Sequence, residues 1–216
     1  MSLTLGSVRT TPAEDHLREA IVSGRLQPNQ RLVESELTRE LGVGRSVVRT
    51  ALVRLEQEGL VEHERHRGAR VRLVGEREAI EILQARAVLE GLSARFAATR
   101  AGEADVRELR AVLASMRELL DHGDLLGASD QNAALHLRLL EIGGHSTAAR
   151  LISTLKSQLV RFQYRTILLP GRSERSFDEH SAIVAAVARR DPPAAEAAMR
   201  SHLSHVAQAL GGEPVR

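Results

Sequence analysis

Residues 32–71 read LVESELTRELGVGRSVVRTALVRLEQEGLVEHERHRGARV, and this stretch decides the fold of the first part of the chain. Apolar residues at helical spacing predict a short helix over 34–41 and a second over about 45–58, with a Gly-Val-Gly turn between them. Two short runs at 60–64 and 69–73 then predict a strand pair around an arginine-flanked glycine. Two helices joined by a tight turn and followed by a basic hairpin are the elements of a winged helix-turn-helix.

The polar residues on these elements are the ones that would meet DNA. Arg45, Ser46 and Arg49 lie on the outward side of the second helix near its start, because its apolar residues face the other way. Arg67 and Gly68 lie at the tip of the predicted hairpin, from which they can approach the DNA backbone or the minor groove. We predict that these five residues bind DNA. The alternative is that they are solvated residues of a small helical domain.

The run GRLQPNQRLVESELTRELGVGRSVVRTALVRLEQEGLVEHERHRGARV resembles the DNA-binding domain of the GntR family of bacterial transcription regulators, over roughly residues 10–74. The resemblance implies that the same five residues contact DNA. The chain departs from the family pattern at Asn29, Gly44 and Thr50, where members usually carry glycine, a serine or threonine, and glutamate. Because Gly44 has no side chain to cap the second helix, we expect the start of that helix to be anchored more weakly, without loss of DNA binding.

Strand signals stop after Val74, and glycines and prolines divide the rest of the chain into helical segments. The predicted fold class is therefore mainly α. It comprises a winged helix-turn-helix domain over 1–74, an all-α six-helix bundle over 75–210 and a flexible tail over 211–216. The predicted helices of the bundle span residues 76–100, 103–122, 124–143, 146–168, 173–190 and 193–210.

Three histidines of the predicted bundle lie on apolar helix faces and should point inward. His180 and His202 precede and follow the joint between the last two helices by similar distances, so an antiparallel pair places them roughly level. Asn132 and His136 are one helical turn apart and share a face of the third helix. Because the chain has no cysteine, nitrogen and oxygen donors must hold any transition metal. We predict that these four residues bind a divalent metal, with zinc the expected ion and nickel an alternative.

The patterns NAALHLRLLEIGGH and DEHSAIVAAVARRDPPAAEAAMRSHL resemble the FCD ligand-binding domain of the FadR branch of GntR regulators, over about residues 76–210. Members that bind metal usually carry aspartate where this chain has Asn132, and the neutral amide would leave the metal with a fuller positive charge. Arg86 lies in the inward stripe of the first bundle helix, where an unpaired guanidinium would be costly. The resemblance implies that Arg86 grips an effector carboxylate beside the metal. The alternative is an ion pair with Glu90.

Composition and charge limit the other functions. The chain has 216 residues and a net charge of +2, and no apolar run approaches the ~20 residues that span a bilayer. Its start lacks the pattern of a secretory signal, so we expect a cytoplasmic protein with no membrane partner. The segments 43–55 and 65–72 carry several arginines and no acidic residue, which favours a nucleic-acid partner.

Together these features predict a DNA-binding transcription regulator rather than an enzyme, acting as a homodimer because one recognition helix buries too little surface for tight binding. A small organic acid, bound through the metal and Arg86, would change binding to a double-stranded operator. One alternative is a metal-free regulator whose histidines are hydrogen-bonded or sense pH. Another is a zinc metalloenzyme, but this needs a base, and the nearest acid, Glu179, is expected to point away from the histidines.

Overall fold

The computed structural model describes residues 11–64, 68–159 and 162–212. The predicted hairpin-tip residue Arg67 and most of the predicted tail, 213–216, lie outside the described residues. The chain divides into two compact units, Met1–Leu73 and Val74–Arg216. The elements of the first unit are α1 (Pro12–Val22), β1 (Arg31–Leu32), α2 (Glu34–Leu41), α3 (Arg45–Gln57), β2 (Val61–Glu64) and β3 (Gly68–Val71). This order confirms the predicted winged helix-turn-helix.

The ends of these helices follow from local chemistry. The hydroxyl of Thr11 accepts a hydrogen bond from the backbone N–H of Glu14, and proline occupies the first turn of α1. Gly42 ends α2 in the left-handed conformation, with φ of 63°. The cap of α3 is Gly44, which offers no side-chain hydrogen bond to the first turn. The first turn of the recognition helix is therefore left uncapped, as the sequence predicted.

The three strands form an antiparallel sheet in the order β1-β3-β2. Leu32 pairs with Ala69, and Val61 pairs with Val71, so the apolar residues of all three strands lie on one face. That face closes a small core against the helices. The sequence did not predict β1, because a strand of two residues carries no alternating pattern. The core residues are Leu17, Leu32, Leu37, Val48, Ala51, Leu52, Leu55, Leu60, Val61, Ala69 and Val71.

Asn29 occupies a position at which the family pattern has glycine. Its φ is 68°, in the left-handed region that asparagine adopts more readily than most residues. Its side-chain oxygen accepts a hydrogen bond of 2.9 Å from Nη1 of Arg70 on β3. This departure therefore keeps the turn and adds a tie between the turn and the hairpin.

The second unit is helical throughout its described residues. α4 is its central helix, and it packs against α6, α7, α9 and α10. No helix among the described residues is long and apolar enough to cross a membrane. The helices are α4 (Glu76–Arg100), α5 (Glu103–Asp121), α6 (Leu125–Gly143), α7 (Ser146–Gln158), α8 (Gln163–Ile167), α9 (Arg172–Ala188) and α10 (Pro192–Leu210).

The prediction of six helices is wrong at one place. The helix expected over 146–168 is two helices, α7 and α8, so the described part of this unit has seven. α7 ends at Gln158 and is capped by Leu159, whose N–H bonds back to the carbonyl of Lys156. The N–H of Phe162 then bonds to the carbonyl of Leu159. These tighter three-residue bonds let both Leu159 and Phe162 enter the core. No glycine or proline marks this break in the sequence.

We expect Gly143→Ala to lower the free energy of unfolding of the second unit by about 1–3 kcal/mol. Gly143 ends α6 where it crosses α4, and an added Cβ would lie 2.7 Å from the backbone oxygen of Ser93. Because the clash is with backbone, the two helices would have to separate. Urea unfolding would measure the loss.

Gly102→Ala is the control for this prediction. Its added Cβ would meet only a side-chain oxygen of Asp105, at 3.6 Å. It should therefore cost less than about 1 kcal/mol, from the weaker cap alone. Equal losses in the two variants would contradict the packing argument.

Candidate functional site

Three buried histidines from three helices converge in the second unit. His136 on α6 is 4% exposed, His180 on α9 is 0% exposed and His202 on α10 is 2% exposed. One ring nitrogen from each lies within 4.8 Å of the other two. The structure therefore brings together the three histidines that were predicted from the sequence to lie at similar heights in the bundle.

Two of the three rings are oriented by buried or half-buried carboxylates. Nδ1 of His136 donates to Oε2 of Glu90 at 2.6 Å, and Nδ1 of His202 donates to Oε2 of Glu179 at 2.7 Å. With its proton held on Nδ1, each ring keeps a free lone pair on Nε2. Metal-binding histidines are fixed by carboxylates in this way in many proteins.

The distance between two of these nitrogens fits a metal site. Nε2 of His136 lies 3.2 Å from Nε2 of His180. Two nitrogens at 2.0–2.1 Å from a tetrahedral zinc ion are separated by about 3.3 Å. Since His136 has its proton on Nδ1, its Nε2 offers a lone pair, and a shared cation would satisfy both rings. The three histidines thus have donor type, burial and spacing suited to a transition metal.

Two buried polar atoms of the predicted metal ligands have no hydrogen-bond partner among the described residues. One is Oδ1 of Asn132, one turn before His136 on α6, and the other is Nδ1 of His180. An unsatisfied buried oxygen is costly, so the Asn132 oxygen is available to a ligand. This is what the predicted fourth metal ligand requires.

Burial favours the neutral form of His180 and His202, since it lowers the pKa of both. It lowers the pKa of His180 well below its ordinary value, and the nearby His202, His136 and Arg172 lower it further. Burial also lowers the pKa of His202 to about 4, although its bond to Glu179 opposes the change. Neutral imidazole is the form that binds metal.

Arg86, the predicted effector ligand, is paired with Glu90. Its Nη2 and Nε both lie 2.7 Å from Oε1 of Glu90, and the two side chains are 11% and 1% exposed. Glu90 therefore connects Arg86 to His136. Burial alone would raise the pKa of Glu90, but Arg86 and His136 outweigh it and hold that pKa far below its ordinary value. The alternative predicted from the sequence, an Arg86–Glu90 ion pair, is therefore present, but it is buried and does not lie on the exposed side of the helix.

The expectation that Glu179 points away from the histidines is wrong. Its two oxygens accept hydrogen bonds from His202, His205 and Arg172, at 2.7, 2.8 and 3.0 Å. α9 and α10 pack as a hairpin, so a residue beside His180 on α9 can reach the outer edge of His202. Burial raises the pKa of Glu179, but these partners reverse the shift and lower it. Glu179 is a charged acceptor that already receives three hydrogen bonds, which disfavours a role as a general base.

A second candidate site lies on α3 in the first unit. Arg45, Ser46 and Arg49 are all exposed at the start of this helix, and Gly68 is exposed at the start of β3. Nε of Arg49 donates to Oε2 of Glu34 at 2.8 Å, which holds the guanidinium beside the start of α2. The uncapped N–H groups of the first turn of α3 are free to meet a phosphate. These residues have the exposure that a DNA-contacting face needs.

Comparison with known proteins agrees with this architecture. The model of the family "Bacterial regulatory proteins, gntR family" matches residues 10–71, and the FCD domain model matches residues 81–205. The transcriptional repressor GlaR of Escherichia coli is 30% identical over 200 residues, covering 87% of this chain and 89% of GlaR. The regulator LutR of Bacillus subtilis is 29% identical over 213 residues, covering 89% of this chain and 96% of LutR.

Solved structures share the fold. McbR/YncC of E. coli superposes with a TM-score of 0.74 at 21% identity, over 93% of this chain and 95% of that one. A GntR transcriptional regulator from Rhodococcus sp. RHA1 gives a TM-score of 0.70 at 24% identity, over 96% of this chain and 100% of that one. GlaR and LutR are named as transcription regulators, which disfavours the metalloenzyme alternative. The chain belongs to the GntR family of transcription regulators, in the branch with an FCD domain, and is a DNA-binding regulator rather than an enzyme.

Proposed function

We propose that this protein is a homodimeric repressor whose operator binding is controlled by a small carboxylate bound at a metal site in the FCD domain. Asn132, His136, His180 and His202 would hold the metal, and Arg86 would grip the carboxylate. The observation that carries the proposal is the convergence of three buried histidines, two of which have Nδ1 held by Glu90 and Glu179 so that Nε2 carries the lone pair. Bound there, a divalent ion would supply an open coordination position for an effector oxygen.

The identity of the ligands favours an anionic effector. Three neutral imidazoles and a neutral amide bring no negative charge to the ion directly, and the charges of Glu90 and Glu179 are shared with Arg86 and Arg172. Arg86 lies beside the same cluster through Glu90. A cationic centre with an adjacent guanidinium suits a carboxylate. Its binding would alter operator affinity in so far as it prefers one of the two states of the dimer.

Metal analysis of the purified protein, followed by melting with and without a panel of organic acids, tests the proposal. Stoichiometric zinc or nickel, and an acid that raises the melting temperature only in the metal-loaded protein, are expected. The same acid should change the affinity for operator DNA. A protein free of metal after growth with added zinc and nickel, with no response to any acid, would instead support a metal-free regulator.

Operator reading is expected to depend on Arg45 and Arg49. Each is exposed at the start of α3, and a bidentate contact to guanine contributes about 1–3 kcal/mol of discrimination. We expect Arg45→Ala or Arg49→Ala to weaken binding about 10–100-fold to a duplex enriched from a random pool. Binding to random duplex should fall much less, which a mobility-shift titration at fixed salt would measure.

Arg189→Ala is the charge-matched control for DNA binding. Arg189 is an exposed arginine at the end of α9, in the other unit. Its loss should leave both affinities within about twofold, because no residue of α9 is predicted to contact DNA. Equal losses on enriched and random DNA for Arg45→Ala would show phosphate contact without base reading.

A further inference from the structure

Arg172 is a buried cation whose hydrogen-bonding capacity is mostly unused. It is the first residue of α9 and only 3% exposed, and its Nη2 donates to Glu179 at 3.0 Å. Its Nε and Nη1 are buried and have no hydrogen-bond partner among the described residues. Leaving several guanidinium donors buried and unsatisfied is costly unless an anion meets them.

The one carboxylate that Arg172 contacts is already shared. Glu179 also accepts hydrogen bonds from His202 and His205, so its charge does not serve Arg172 alone. Arg172 is electrostatically coupled to the histidine cluster as well. After burial, which is the larger cause, its charge helps to lower the pKa of both His180 and His202. The unused donors therefore belong to a cation next to the candidate metal centre.

A third cation interacts with the Arg86–Glu90 pair. Lys156 on α7 is the only lysine of the chain and is half-buried. Burial lowers its pKa, the charge of Glu90 opposes that change, and the charge of Arg86 adds to it, so Lys156 lies near both. Arg86 and Lys156 are thus coupled to the one carboxylate Glu90, as Arg172 is to Glu179, so these three cations outnumber the two carboxylates. A divalent metal would increase this positive excess.

We propose that Arg172 binds a second anionic group of the effector, and that the effector is a dicarboxylate. The inference rests on the proposed function, because the first carboxylate is the one placed on the metal and Arg86. The second carboxylate would accept from Nη1, which has no partner among the described residues and is not the nitrogen that donates to Glu179. A hydrogen bond from a guanidinium to a carboxylate is charge-assisted and therefore among the stronger ones.

The test compares acids of matched chain length on zinc-loaded protein. Calorimetry would measure binding of succinate, glutarate and adipate against butyrate, valerate and hexanoate, with zinc content assayed after each titration. The wild-type protein should bind its best dicarboxylate at least about tenfold more tightly than the matched monocarboxylate, as expected for hydrogen bonds to a charged group. Arg172→Gln should abolish that preference and leave monocarboxylate affinity and zinc content unchanged.

Three comparisons make the result decisive. Arg172→Lys keeps the charge without the fork and should retain part of the preference, whereas Arg189→Gln, the exposed control, should retain all of it. Equal binding of both acid classes by the wild type, or equal weakening of both by Arg172→Gln and Arg172→Lys, would overturn the role of Arg172 alone. If the wild-type protein binds no acid of either class, or if Arg86→Gln binds both classes as tightly as the wild type, the proposed effector site is wrong and this inference fails with it.

Discussion

Glu90→Gln is expected to lower the free energy of unfolding of the FCD domain by about 3–5 kcal/mol, as found when one partner of a buried ion pair is removed. Glu90 is 1% exposed and receives hydrogen bonds from both Arg86 and His136. Glutamine has similar volume but no charge, and its amide group can accept from only one of the two donors. The variant leaves the guanidinium of Arg86 uncompensated in a nearly dry environment. Urea unfolding followed by circular dichroism would measure the loss.

α4 itself supplies a matched control. Glu81 pairs with Arg77 at the same four-residue spacing, but those side chains are 58% and 93% exposed. Glu81→Gln should therefore change stability by less than about 0.5 kcal/mol. If Glu90→Gln lowers the free energy of unfolding as little as Glu81→Gln does, the guanidinium of Arg86 is hydrated when its partner is removed.

The same substitution should weaken the metal site. Without the carboxylate, Nδ1 of His136 loses the acceptor that fixes its tautomer, and Nε2 no longer presents a lone pair in every molecule. Loss of such an outer partner typically costs about 10–100-fold in metal affinity. Competition with a chromophoric chelator would detect this. Unchanged zinc affinity in a folded Glu90→Gln protein would show that packing alone orients the ring.

Helical periodicity was enough to predict the positions of the three histidines. His180 and His202 flank a proline-marked joint, and that joint determines their relative height without any knowledge of side-chain contacts. Periodicity could not predict Glu90. α4 buries small residues on several sides, including Ala79, Ala87, Gly91 and Ala98, so no polar face separates an exposed glutamate from a buried one. The Arg86–Glu90 spacing was the available signal, but it also fits a solvated pair.

The direction of the Glu179 side chain was predicted wrongly for a different reason. One residue along a helix rotates a side chain by about 100°, so a neighbour of His180 should not share its direction. The structure obeys that rule, since Glu179 reaches the outer edge of His202 and not the centre of the cluster. The sequence did not indicate how close α10 lies to Glu179 on α9. The available signal was the spacing of His202 and His205, three residues apart on α10. Two donors at this spacing share a helix face, and a carboxylate on the adjacent helix can accept from both.

His180→Ala is expected to weaken zinc binding by more than about 100-fold, since loss of an outer partner alone costs up to that much. His180 is 0% exposed, and its Nε2 lies 3.2 Å from that of His136, so no other described side chain can take its place without moving the helix. At zinc 100-fold above the wild-type Kd, metal stabilises the folded protein by about 2.7 kcal/mol. A 100-fold weaker site would retain only about 0.4 kcal/mol of this.

Thermal unfolding with and without zinc therefore separates a metal site from a hydrogen-bonded histidine cluster. The exposed His122, at the end of α5, provides the control, and His122→Ala should keep the full zinc-dependent increase in melting temperature. A hydrogen-bonded cluster would predict the opposite pattern, in which His180→Ala lowers the melting temperature equally with and without zinc. In such a cluster Nε2 of His180 and Nε2 of His136 hydrogen-bond to each other at 3.2 Å, a contact that does not depend on zinc. The proposed metal site instead predicts a zinc-dependent difference between His180→Ala and His122→Ala.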